Sequence, residues 1–151
     1  MSSSLDPVQT IVDILEGAAA EDWANAGGEP DYIERYEETD FSSKKARDMR
    51  DAIYVQRPGS DDYQKLGAGY NTLVEEPMVR AEVWTPEGSD PCLEYAHDVR
   101  EIIRGYTVDL EDQTQWTDIA PVGEEDLRGS ARARGVDHSV MAIQIDLTGA
   151  R

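Results

Sequence analysis

The stretch HSVMAIQIDL (residues 138–147) decides how the rest of the chain is read. Met141, Ile143, Ile145 and Leu147 fall on one side of an extended backbone, with Ala142, Gln144 and Asp146 on the other. A period of two with one apolar side is a strand that lays one face on a core. Such a face needs a second layer over it.

Two segments have the helical period that supplies this layer. Near the start, Ser4-Leu5-Asp6-Pro7 gives a small polar cap with proline in the first turn, where its missing N–H costs nothing. Leu5, Val8, Ile11, Val12 and Leu15 then recur at spacings of three and four. Gly17 ends this helix, or Ala18–Ala20 carries it on to Trp23. The second helix follows Thr85–Pro91, with Ser89 or Asp90 as cap and Pro91 in its first turn. Its stripe is Cys92, Tyr95, Ala96, Val99, Ile102 and Ile103, and Gly105 suits its C-terminal end.

Further strands are expected at Ala52–Gln56, stopped by Pro58-Gly59, and at Leu73–Thr85, where Pro77 marks an edge or a bulge. Gln115–Ala120 alternates weakly. Segment 31–41 fits a strand or an irregular covering, and 42–50 fits a short basic helix. The order is helix, about two strands, helix, two strands. The fold class is therefore α+β, an antiparallel or mixed sheet of about four to six strands with two main helices packed on one face. Residues 1–151 form a single domain, with long loops near 58–72 and 121–135.

Charge points to habitat. Thirty-two acidic residues against eleven arginines and three lysines give a net charge of −18. Such self-repulsion destabilises a compact domain unless it is screened. In molar salt the Debye length falls to about 3 Å, and arginine is kept for its bidentate donors while lysine is lost. This reads as a salt-in halophile or one of its viruses; an ordinary acidic protein or a nucleic-acid mimic is the alternative. A broad basic face for DNA is excluded by the same balance. The apolar runs are too short to span a membrane, and the N-terminal residues carry no export signal. A lone cysteine, Cys92, excludes an internal disulfide framework.

The charge is uneven along the chain. Residues 1–43 carry eleven acids against Arg35, net −10, and residues 59–127 are net −13. Between and after them lie two basic islands, 44–58 at net +3 and 128–151 at net +2. Lys44, Lys45, Arg47 and Arg57 belong to the first, and Arg128, Arg132 and Arg134 to the second. Two readings stand. These cations neutralise an acidic neighbourhood within the subunit, or they contact an acidic neighbour subunit or passing DNA. Long loops short of apolar residues fit partners that order them, which adds Tyr63 and Tyr70 as interface candidates.

No catalytic or metal signature is present. His97 follows Cys92 by five residues, about 140° around a helix, and His138 stands apart, so zinc spacing is lacking. Acidic pairs such as Asp61-Asp62 and Glu75-Glu76 arise from composition. Neither phosphate-binding glycine pattern nor the calcium-loop spacing occurs. The expectation is a non-enzymatic protein without cofactor.

Taken in order, LDPVQTIVDILEG, AIYVQRPG, VRAEVWT, CLEYAHDVREIIRG, TQWTDIAP and HSVMAIQIDL, over about residues 5–148, resemble the tail-terminator and head–tail joining proteins of long-tailed haloarchaeal viruses. The resemblance rests on element order and character. It implies a virion ring, usually a hexamer, made in the cytoplasm of a halophilic archaeon. The ring stops tail-tube polymerisation and docks tail to connector, with DNA passing through without sequence-specific binding. Partners would be further copies of the chain, the tail-tube protein and head–tail connector or adaptor proteins. Subunit contacts would fall on sheet edges and on the loops near 58–72 and 121–135. Segment 24–51 is longer and more charged than a minimal member needs. Another neck protein, a tube subunit, or a small haloarchaeal binding domain is the alternative.

Overall fold

The structure, a computed structural model, describes residues 6–36, 51–57, 63–65, 73–75, 77–86, 89–106, 116–127 and 139–150. Its first helix, α1 (Pro7–Glu16), is capped by Asp6, whose carboxylate accepts from the N–H groups of Val8 at 3.0 Å and Gln9 at 3.2 Å. Val8, Ile11, Val12 and Leu15 are buried as the spacing requires. Gly17 closes the helix through its N–H to the Asp13 carbonyl, and a separate 3-10 turn, Ala20–Trp23, buries Trp23.

Strands β1 (Tyr32–Arg35), β2 (Ala52–Gln56), β3 (Tyr63–Lys65), β4 (Leu73–Glu75) and β5 (Met78–Thr85) come next. Helix α2 (Ser89–Gly105) follows, then β6 (Asp118–Asp126) and β7 (Ser139–Ala150). The body of the sheet runs β1-β2-β5-β7-β6. Only the β1–β2 pair is parallel, so the sheet is mixed. Both helices pack on one face of it, α1 over β1, β2 and β5 and α2 over β5, β6 and β7. The α+β class, the strand count of the body and the single helix layer are as the sequence implies.

The core under the helices takes alternate residues: Ile53 and Val55, then Val79, Ala81 and Val83, then Met141, Ile143, Ile145 and Leu147. Ala52, Tyr54, Glu82, Val140 and Ala142, on the other face, are buried as well. The central strands are thus interior on both sides.

Three expectations are corrected. First, about two strands were expected between the helices, and five are present. The 58–72 loop contains β3, paired antiparallel with β4, so it is partly a hairpin. Second, β4 and β5 hold one register against β7, with Glu75 opposite Gly149 and Met78 opposite Asp146. They are two stretches of one strand line. Pro77 interrupts it because it has no N–H to donate, while its carbonyl still accepts from Leu147 N–H at 3.1 Å. Third, the polar segment expected from 121 onward is strand as far as Asp126. Pro121, Gly123 and three acids disguise it, and these are residues that an edge strand tolerates. A register shift between Pro121 and Gly123 leaves Val122 bulged and exposed. The ambiguous 31–41 segment is a strand at 32–35. The basic helix expected at 42–50 lies outside the described residues.

Candidate functional site

At one corner of the subunit, the end of α1, the 3-10 turn and the start of β1 enclose a cleft of about 230 Å³. Leu15, Trp23, Pro30 and Ile33 form its floor, and the exposed Glu16, Glu29 and Asp31 its rim. Local chemistry fixes its walls. Gly28 N–H reaches back to the Trp23 carbonyl at 3.1 Å, and Gly27 turns the chain with φ of 85°, a conformation that favours glycine. The same loop is tied to α2 by Asp98, which is 1% exposed. Its carboxylate accepts from Asn25 Nδ2 at 2.7 Å and from Ala26 N–H at 2.9 Å. Asp31 N–H donates to the Asp51 carbonyl, and Asp51 N–H to the Asp31 carboxylate.

The corner is strongly anionic. Tyr95 packs against Trp23 with ring centroids 6.1 Å apart, and its hydroxyl lies 3.4 Å from the Asp51 carboxylate. Burial raises its pKa, and Asp51, Asp31 and Asp98 raise it further by disfavouring the phenolate. On the opposite face of the sheet, Tyr36, Tyr54 and Trp84 meet edge to face, at 6.5 and 5.6 Å. Burial first, then Glu34 and Tyr32, pushes the Tyr54 hydroxyl up to about 12. A buried polar belt crosses this face. Glu82 accepts from Gln56 Nε2 at 2.7 Å and Trp84 Nε1 at 3.1 Å, while Arg80 pairs with Glu125 at 2.9 Å.

The sequence-predicted interface residues fare unevenly. Lys44, Lys45, Arg47, Tyr70, Arg128, Arg132 and Arg134 lie outside the described residues. Arg57 follows β2 and is exposed. Tyr63 opens β3, opposite Glu75 in register. The structure therefore brings none of these nine together. The acidic cleft was missed because its rim residues are fifteen positions apart in sequence and carry no motif; only the glycine pair at 27–28 marks the turn that assembles them.

Cys92 is buried, its sulfur near the Val83 and Ser139 carbonyls, whereas His97 is exposed beside Arg100. Among the described residues no cluster of three or more His, Cys, Asp or Glu is arranged to hold a metal ion. No described helix is long and apolar enough to cross a membrane. Compared with known proteins, the chain matches no family model and no curated protein.

Proposed function

We propose that this chain is a structural virion protein of a halophilic archaeal virus, a subunit of a ring at the head-proximal end of the tail tube. There it ends tube polymerisation and joins tail to connector; it works by binding, without catalysis or cofactor. The observation that carries this reading is the continuation of the sheet beyond its helix layer. The β4 stretch extends the β5 line along the last residues of β7, and β3 adds a third strand. The main described contacts of β3 and β4 are with each other and with β7, while the helices pack on the body. A sheet segment without a helix over it gains from a neighbour that covers it. The resemblance in element order supports the same reading, and the acid excess fits molar salt.

The particle mass in molar salt, by light scattering, tests it. The expected result is a closed oligomer of several copies, which electron microscopy of the virion locates at the upper end of the tube. A monomer at high protein concentration in molar salt overturns the ring. Labelling along the tube length reassigns the chain as a tube subunit, and labelling below the portal as an adaptor or stopper. Dilution to about 0.1 M salt, where the Debye length is about 10 Å, is expected to weaken fold or assembly; a melting temperature independent of salt removes the halophilic part of the reading.

A further inference from the structure

The anionic cleft and the second arginine island lie on opposite flanks of the same sheet, at the same end. One row of paired residues, Tyr32–Ala52–Trp84–Val140, crosses β1, β2, β5 and β7. Val140 carbonyl then accepts from Leu127 N–H at 3.0 Å, which fixes the end of β6 on that row. Asp31, on the cleft rim, immediately precedes Tyr32. Arg128 immediately follows Leu127. Four strand spacings separate β1 from β6, about 19 Å. One residue of chain spans at most about 3.6 Å, so Arg128 stays on the β6 flank, out of reach of the cleft on its own subunit.

Size and chemistry define what the cleft takes. Its volume of about 230 Å³ is below the roughly 300–1,000 Å³ of sites for whole small molecules. An apolar floor under three carboxylates suits one long side chain with an aliphatic stem and a cationic head. The floor and the loop wall are held by the buried Asp98, so the cleft is formed before anything enters it. In a chain with eleven arginines among its fourteen cations, the matching group is arginine.

We propose, resting on the ring reading above, that this cleft is the acceptor half of the subunit interface and receives arginine from residues 128–134 of a second copy, Arg128 foremost. Donor and acceptor on opposite flanks make the contact heterologous, with one patch meeting a different patch on the next subunit. Repeated around an axis, such a contact closes a ring. Exposed charge pairs are screened in molar salt, but a guanidinium seated in a cleft against carboxylates is screened far less. The interface therefore survives the salt that the fold requires.

The test is a charge swap read by particle mass in molar salt. Glu16→Gln with Glu29→Gln removes two rim charges at exposed positions and is expected to raise the subunit dissociation constant by about thirtyfold or more. Glu16→Arg with Glu29→Arg makes one copy with cationic cleft and cationic donor; Arg128→Glu with Arg132→Glu and Arg134→Glu makes another with both anionic. Each alone is expected to stay monomeric and folded by circular dichroism, and their equimolar mixture to assemble. If the Gln variant assembles like the parent, this assignment is overturned and the ring reading stands. If the swapped copies unfold, or stay apart when mixed, the arginines serve their own subunit and the assignment again fails. If the parent chain itself is monomeric, the ring reading fails and takes the assignment with it.

Discussion

The two outer strands of the sheet body guard their edges in different ways. β1 is four residues long, runs parallel to β2, and is backed by α1, whose capping Asp6 also takes Arg35 at 2.6 Å. Its flank is built from distant pieces of chain locked by buried polar groups. β6 is nine residues long, pairs antiparallel along β7, and carries a proline, a bulge and three acids in its second half. It protects itself by composition. One flank is held by tertiary tethers and the other by its own sequence, so they respond to different substitutions.

The strand that both flanks depend on sets the scale. Ile143 is fully buried in β7, between β5 and β6. Ile143→Ala is expected to cost about 2–5 kcal/mol, from lost transfer energy and the cavity left behind. Urea unfolding followed by circular dichroism measures it. A loss near zero would mean that β7 is not the shared core of the two flanks.

Gly149 tests the base of the β6 flank. A Cβ added there meets Trp116 Cε3 at 2.7 Å, and Trp116 is itself 3% exposed, with its indole N–H on Thr10 Oγ1 at 3.3 Å. The ring has little room to retreat. Gly149→Ala is expected to cost about 1–3 kcal/mol by overpacking. Combining it with Trp116→Leu, which opens the space, should cost less than the two single changes added together; strict additivity would show that the glycine is not kept for this contact.

These cases show what the sequence made legible. The core of β7, the stripe of α2 and the cap and stripe of α1 announce themselves through period, because each buries one continuous face. The second half of β6 does not, since what protects an edge strand is also what marks a loop. β3 and β4 are three residues each, too short for a period to register, and their pairing with each other and with the tail of β7 is what makes them strands. The parallel β1–β2 pairing depends on a crossover of chain that no local signal encodes. The cleft on the β1 flank was illegible for the same reason: Glu16, Glu29 and Asp31 converge only after α1, the 3-10 turn and β1 have packed. The arginines opposite were visible as composition, although composition alone did not say that they sit across the sheet from an acceptor.

Asp98 tests the tethered flank. Asp98→Asn keeps one acceptor oxygen but removes the charge that strengthens both hydrogen bonds to the 24–28 loop. The expected loss is about 1 kcal/mol, the difference between charged and neutral acceptors. Amide exchange should report it locally, with Ala26 losing protection while Ile143 keeps its own relative to global unfolding. Equal loss at both sites would mean that the loop and the core open as one unit, and that the flank is not separately tethered.

The smallest effect expected is at the foot of the same flank, where Asp6 caps α1 and holds Arg35. Burial alone raises the Asp6 pKa, but the hydrogen bond from Arg35, the N–H of Gln9, the charge of Arg35 and the N–H of Val8 outweigh it, and the net shift is downward. A carboxyl whose folded pKa lies below its unfolded value adds stability that is fully present above the unfolded pKa. That contribution is lost as pH falls through the folded value. Asp6→Asn is therefore expected to be slightly less stable than the parent at neutral pH, and the gap should close as pH drops below the ordinary carboxylate range. Partial exposure of both side chains keeps the effect within that of an ordinary surface pair. Paired urea titrations at neutral and acid pH measure the gap. A gap that is constant with pH would assign the role of Asp6 to the cap alone, and would leave β1 without its ionic anchor to α1.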